Sequence, residues 1–183
     1  MFPCVSLAQT YVVGLGGAVS LSNAAAVTNS QPPSASNYDS KVGPALNVAV
    51  GRHLNDWFSV QGGYIWNRNR IVSTEISGLA FQQRFVTATQ QIVSADVLVY
   101  FRARQSAIRP YLSGGPVGIQ LLSQRKLGLR AAVGMDVKIR NGWSLRYSFS
   151  EIMSTNPFAA DLHPASSAKL MNFQNLFGFV KVF

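Results

Sequence analysis

The chain has 183 residues, 48% of them hydrophobic and only 13% charged, with 16 Lys and Arg against 7 Asp and Glu for a formal charge of +9. That length suits one domain, the apolar content excludes a disordered or collagen-like chain, and the charged fraction is about half that of ordinary soluble domains. A single cysteine, Cys4, has no internal disulfide partner, and with only His53 and His163 beside it the chain lacks a zinc ligand set, so no metal and no other cofactor is expected.

Residues 1–38 carry no charge, but Gln9, Thr10, Ser20, Ser22 and Asn23 interrupt the apolar stretch and Gly14, Gly16 and Gly17 weaken it as a membrane-spanning helix. Ser6-Leu7-Ala8 has the small-x-small form of an export cleavage site, so residues 1–8 read as a signal-peptide remnant and 9–183 as the folded domain. From there the dominant period is two. Tyr11, Val13, Leu15 and Val19 alternate with Gly14, Gly16, Ala18 and Ser20, and a polar link follows from Ser22 to Lys41.

Val42 to Arg52 sets Leu46, Val48 and Val50 against Ala45, Asn47, Ala49 and Gly51. After the short His53–Asp56 link, Phe58, Val60, Tyr64 and Trp66 oppose Ser59, Gln61 and Gly63. A long link is expected over Ile71–Ala88. Val93, Ala95, Val97, Val99 and Phe101 then oppose Ser94, Asp96, Leu98, Tyr100 and Arg102. Ala103–Ala107 leads into a strand near Ile108–Leu121 whose Gly114, Gly115, Pro116 and Gly118 leave its facing open, and another outer link is expected over Ser123–Lys126.

The clearest alternation is in Leu127–Ile139, with Leu129, Ala131, Val133, Met135 and Val137 on one face and Gly128, Arg130, Ala132, Gly134, Asp136 and Lys138 on the other. Asn141-Gly142 predicts a tight hairpin into Trp143, Leu145, Tyr147 and Phe149, which oppose Ser144, Arg146, Ser148 and Ser150. A long link over Ser154–Lys169 precedes the last strand, where Met171, Phe173, Phe177, Phe179 and Phe183 share a face that Asn175 and Lys181 interrupt. Lys181 suits that position if its ammonium snorkels to an interface.

About eight strands of roughly ten residues, joined by alternating short and long links, predict an all-β fold: a single closed antiparallel transmembrane barrel. The interior of an eight-stranded barrel is only wide enough for side chains to fill, so the small and charged faces are expected inside and the bulky apolar faces against lipid. Asp96, Arg130, Asp136 and Arg146 all fall on the inner set, because each midplane Arg turned to hydrocarbon would cost on the order of 2–4 kcal/mol. They read as an ion-pair network that fills the lumen, with a polar ion path as the alternative.

The basic residues are dispersed, and no helix-turn-helix, zinc-finger or RNP pattern accompanies them, so nucleic acid is not an expected partner. Arg68, Arg70, Arg125, Lys126 and Lys169 are predicted at one rim, where they suit lipopolysaccharide phosphates as well as plain solvation. Arg52, Arg102, Arg104, Arg109 and Arg140 fall near the short turns and read as anchors of the opposite interface, and Trp57, Trp66 and Trp143 as girdle residues.

The strand plan and the terminal Asn172-Phe173-Gln174-Asn175-Leu176-Phe177-Gly178-Phe179-Val180-Lys181-Val182-Phe183 resemble the small outer-membrane β-barrel family of Gram-negative bacteria, of OmpA-type and OmpX-type size. The likeness extends over residues 10–183 and includes Gly62-Gly63-Tyr64 and Pro110 to Gly115. It implies a bacterial outer-membrane location among lipids and lipopolysaccharide, periplasmic chaperones, and an assembly machinery that would read Phe177, Phe179 and Phe183. Lys181 departs from the apolar residue usual in that signal.

Members of such a family act as anchors, adhesins, narrow pores or lipid-modifying enzymes, and fold alone does not choose. The expectation is a monomeric structural, adhesion or interaction protein without catalytic residues. A narrow pore and a lipid A deacylase-like enzyme are the alternatives. For the enzyme, His163, Ser166 or Ser167 and Glu151 would have to supply the nucleophile, base and orienting carboxylate, although the adjacent His-Ser pair of the deacylases is absent.

Overall fold

The period-two segments become strands in the computed structural model, which describes residues 9–22, 26–28, 34–77, 80–121, 124–155 and 169–183. Ten strands follow one another: β1 (Thr10–Ser22), β2 (Ala26–Thr28), β3 (Ser34–Ser40), β4 (Gly43–His53), β5 (Phe58–Ser77), β6 (Ala80–Tyr100), β7 (Ile108–Leu121), β8 (Gln124–Arg140), β9 (Trp143–Thr155) and β10 (Lys169–Val182). Antiparallel pairing runs β6-β7-β8-β9-β10-β1-β4-β5, and β5 pairs back to β6, so eight of the strands close a barrel. Closure gives each strand two partners, the condition a β-structure must meet to cross hydrocarbon.

The short turns lie at one end, and their chemistry is local. Asn55 Oδ1 accepts from the backbone N–H groups of Trp57 and Phe58, both at 2.8 Å, folding the chain between β4 and β5. Between β8 and β9, Asn141 and Gly142 both have positive φ, 51° and 78°, as a two-residue hairpin with right-handed strand twist requires. Short turns mark the periplasmic rim of a membrane barrel, which places both chain ends of the barrel, Thr10 and Val182, on that side.

The expected long links differ from the structure in three places. Residues 71–88 are mostly strand, because β5 and β6 remain paired from Phe58↔Val99 to Ser77↔Ala80. Within 22–41, β3 pairs with the outer part of β5, from Ser40↔Ile71 to Ser34↔Ser77, and β2 pairs with β3. Beyond the bilayer both faces of a strand can be wetted, so the pairing persists where the apolar–polar alternation that reveals it in sequence is lost. The link expected over Ser123–Lys126 is shorter, since β7 ends at Leu121 and β8 begins at Gln124.

Facing follows the expected rule on most strands. On β4, Leu46, Val48 and Val50 are exposed while Ala45, Asn47, Ala49 and His53 are buried. On β8, Leu129, Val133 and Met135 point outward while Arg130, Ala132 and Asp136 point inward. Strand β1 reverses it. Tyr11, Val13, Leu15, Val19 and Leu21 are buried in the lumen, and Gly14 and the other small residues alternate with them on the outer side.

The reason is volume exchange between neighbours. A Cβ at Gly51 would run into the Tyr11 ring, and a Cβ at Gly134 would run into the Tyr111 ring. Small residues on β4 and β8 therefore make room for large ones on β1 and β7, the alternation of sizes that fills a narrow barrel. The same exchange settles β7, whose facing the sequence leaves open: Arg109, Tyr111, Val117, Ile119 and Leu121 point inward.

Candidate functional site

Two ion pairs lie in the lumen. Asp136 and Arg146 stand directly opposite each other on β8 and β9, a position fixed by the Asn141-Gly142 hairpin and a bulge between Lys138 and Arg140. Arg146 donates from Nε to Asp136 Oδ1 at 2.6 Å and from Nη2 to Asp136 Oδ2 at 2.7 Å, a bidentate contact. Its remaining donors reach Gln61 Oε1 on β5 at 3.0 Å and the Tyr100 hydroxyl on β6 at 2.9 Å. The guanidinium also lies 4.9 Å from the Tyr111 ring and 5.6 Å from the Tyr11 ring, within cation–π range.

Arg146 is thereby tied to strands on the far side of the barrel and is 2% exposed. Beside it, His53 Nδ1 and Ser59 Oγ are hydrogen-bonded at 2.6 Å, and the His53 ring packs 4.7 Å from Tyr11. The second pair lies toward the outer rim: Arg130 precedes Asp136 by six residues on β8, and Asp96 stands opposite Gln61 on β5. Arg130 Nη1 donates to Asp96 Oδ2 at 2.9 Å, and Ser94 Oγ donates to the same oxygen at 3.0 Å.

Asp96 and Arg130 sit on β6 and β8, with β7 between them; Arg130 pairs with Gly115 on that strand, and a Cβ at Gly115 would lie 3.0 Å from the Asp96 Cα. Glycine is needed here because a Cβ would collide with the Ala95 carbonyl oxygen. With no side chain in the middle of the row, arginine and aspartate can meet across it. Farther out the lumen holds amides: Asn172 Nδ2 donates to Gln90 Oε1 at 2.7 Å, and Asn69 Nδ2 donates to the carbonyls of Val19 and Lys41, both at 3.0 Å.

The four charged lumen residues singled out from sequence therefore form two partnered pairs. Sequence reasoning missed the box around Arg146. Gln61 and Tyr100 were readable from alternation alone, since each shares a face with a predicted inward residue, but Tyr11 was hidden by the reversal of β1 and Tyr111 by the glycines of β7.

The outer-rim basic residues are not one cluster. Arg68 and Arg70 lie on the exposed face of β5, with the Arg70 guanidinium 4.2 Å from the Phe85 ring. Arg125 and Lys126 border a separate groove with Tyr64, Val93, Gly118 and Leu127, and Lys169 begins β10 beside Thr155. At the periplasmic rim Arg109, expected near the short turns, is 7% exposed and stacks inside the mouth, 3.8 Å from the Tyr100 ring, because inward-facing β7 residues pack against β6.

Lys181 does reach the interface: Nζ donates to the Asn141 carbonyl at 2.7 Å and lies 5.2 Å from the Trp143 ring. Phe177, Phe179 and Phe183 form an exposed row on β10 and the residue that follows it, and Trp57 and Trp143 are exposed near the same rim. Glu151 is half-buried on the outward face of β9, between Ala131 and Phe173. His163, Ser166 and Ser167, like residues 1–8 expected as a signal-peptide remnant, lie outside the described residues. Among the described residues no group of three His, Cys, Asp or Glu side chains could hold a metal.

Comparison with known proteins gives the same architecture. Residues 2–176 match the family model described as an outer membrane protein beta-barrel domain. Among solved structures, OprG of Pseudomonas aeruginosa superposes with a TM-score of 0.64 at 12% identity, covering 96% of each chain. Neisserial surface protein A gives 0.60 at 13% identity, covering 96% of this chain and 97% of that one. AlkL, solved in lipid bilayers, gives 0.58 at 15% identity with coverage of 96% and 90%. No curated protein sequence matches the chain. A closed antiparallel barrel with an apolar exterior, charges paired inside and a family match along nearly its whole length leads to one assignment: the chain belongs to the outer membrane β-barrel domain family and is an integral outer-membrane protein of Gram-negative bacteria.

Proposed function

We propose that this barrel is a monomeric, non-catalytic outer-membrane protein with a structural, adhesion or interaction role, and that its lumen is plugged by its own side chains. The observation that carries the reading is Arg146, fully buried and bonded to β5, β6 and β8 at once. A conducting path would have to displace it, and breaking a buried ion pair by removing one partner costs several kcal/mol. Purified protein in planar bilayers is expected to show no large, steady single-channel currents; such currents would favour the narrow pore.

The deacylase alternative draws little support from Glu151, which faces outward from β9 between Ala131 and Phe173. Lipid A incubated with the protein is expected to stay fully acylated, and deacylation lost in His163→Ala would reverse the reading. For partners, we assign the exposed Phe177, Phe179 and Phe183 row to the assembly machinery, with periplasmic chaperones delivering the unfolded chain. The outer rim is assigned to lipopolysaccharide. The groove floored by Gly118 is open to the bilayer, so an acyl chain can lie along it while Arg125 or Lys126 meets a phosphate. Arg125→Ala with Lys126→Ala is expected to reduce lipopolysaccharide-dependent thermal stabilisation while leaving the gel-shift fold assay unchanged. Equal stabilisation would assign these residues to plain solvation.

A further inference from the structure

Below the Asp136–Arg146 pair, the periplasmic mouth opens into a cavity of about 310 Å³, bordered by His53, Arg104, Gln105, Arg109, Lys138 and Ser144, with Asp136 at its inner end. The inward face of β8 delivers Asp136 and then Lys138, and β7 places Arg109 directly across the ladder from Asp136. The 101–107 turn brings Arg104 over the same opening.

The charges of this mouth do not cancel. Its nearby acidic side chains among the described residues are Asp56 and Asp136. Asp56 is paired with Arg104, Oδ1 to Nε at 3.4 Å, and both Asp136 carboxylate oxygens are taken by Arg146. Arg109 is left without a carboxylate pair among the described residues. It donates from Nη2 to the Asp56 carbonyl at 3.0 Å and from Nε to the Arg102 carbonyl at 3.5 Å, with Tyr100 stacked on its face. Lys138 likewise makes no ion pair among the described residues and is exposed to the cavity.

A guanidinium that is 7% exposed yet unpaired is expensive, since carbonyl dipoles and an aromatic face offset only part of the desolvation cost of a full charge. Among the described side chains the mouth therefore holds two positive charges in excess, one of them buried, against a protein wall that weakens solvent screening; the Phe183 end of the chain lines the same cavity and its carboxylate offsets part of that excess. The cavity's volume is near the lower limit for small-molecule sites, large enough for a phosphate or a small dicarboxylate. Ser144 and Gln105 add neutral donors on the same walls. We propose that the periplasmic mouth is a binding site for a small solute oxyanion, carrying a phosphate or carboxylate group held by Arg109 and Lys138.

The proposal stands apart from the lumen plug, because a blind mouth and the entrance of a pore would present the same two cations. The test is calorimetric titration of inorganic phosphate into the intact, refolded protein in zwitterionic micelles and chloride buffer. Wild type is expected to bind one phosphate per chain saturably. Lys138→Gln, an exposed site whose change spares the packing, and Arg109→Gln are each expected to bind about tenfold or more weakly, the loss of one hydrogen bond to a charged group. Arg140→Gln, which removes an exposed charge outside the cavity, is expected to leave binding unchanged. Absence of saturable phosphate binding would overturn the proposal. So would equal weakening by Arg140→Gln, which would reduce the effect to general positive charge.

Discussion

Replacing Arg146 with methionine is expected to destabilise the barrel by about 3–5 kcal/mol, the range for removing one member of a buried ion pair. Methionine keeps much of the side-chain volume, so the loss is electrostatic: Asp136, buried at the inner end of the mouth, would keep only the Tyr100 hydroxyl, a 3.3 Å bond, as a side-chain donor among the described residues. Urea titration of the protein folded in lipid vesicles, read by the heat-dependent gel shift, measures it. The double replacement Arg146→Met with Asp136→Leu is expected to recover most of the loss, because an apolar pair of similar volume leaves no buried charge behind. If the double variant is as unstable as the single, the network acts through shape and not through charge.

The second large effect tests the facing of the wall. Val133 lies near the middle of β8 and is 48% exposed on the outer face. Val133→Arg is expected to cost about 2–4 kcal/mol in a bilayer, the depth-dependent penalty for a lipid-facing arginine near the midplane. Ile139→Arg, six residues nearer the periplasmic turn on the same face, is expected to cost about 0–1 kcal/mol. Folding free energies of the two variants in the same vesicles decide it. Equal costs would mean that the apolar face of β8 does not meet hydrocarbon.

Most of the barrel wall was legible because a membrane imposes two solvents on a strand, and period two records which one each residue meets. On β4 and on the β8–β9 hairpin the reading matches the structure nearly residue by residue, since one face there carries all the bulk. It fails on β1, where the bulky set points inward. The missing information was the size of the neighbours: only with Gly51 across the ladder does Tyr11 fit inside, and a single strand does not disclose its partners.

The lumen shows the same division. The charged residues that form the two pairs were identifiable, because only the interior tolerates them. The choice of partner was not, since Arg130 meets Asp96 across a glycine on a third strand. The facing of Arg109 was open for a related reason. Its nearness in sequence to a short turn gave only the rim, whereas its place in the alternation with Tyr111 puts it inside the mouth.

The two ion pairs differ in when they become available. Asp136 and Arg146 are ten residues apart, on either side of a preorganised turn, so closing that loop costs little entropy and the two charges can neutralise each other within a single hairpin. Asp96 and Arg130 are separated by 34 residues and meet only after β7 has docked between their strands. During passage into the bilayer the first pair can travel as a neutral unit, whereas the second must remain hydrated until three strands have assembled. The inner hairpin pair thus needs no third strand, whereas the outer pair waits on the docking of β7.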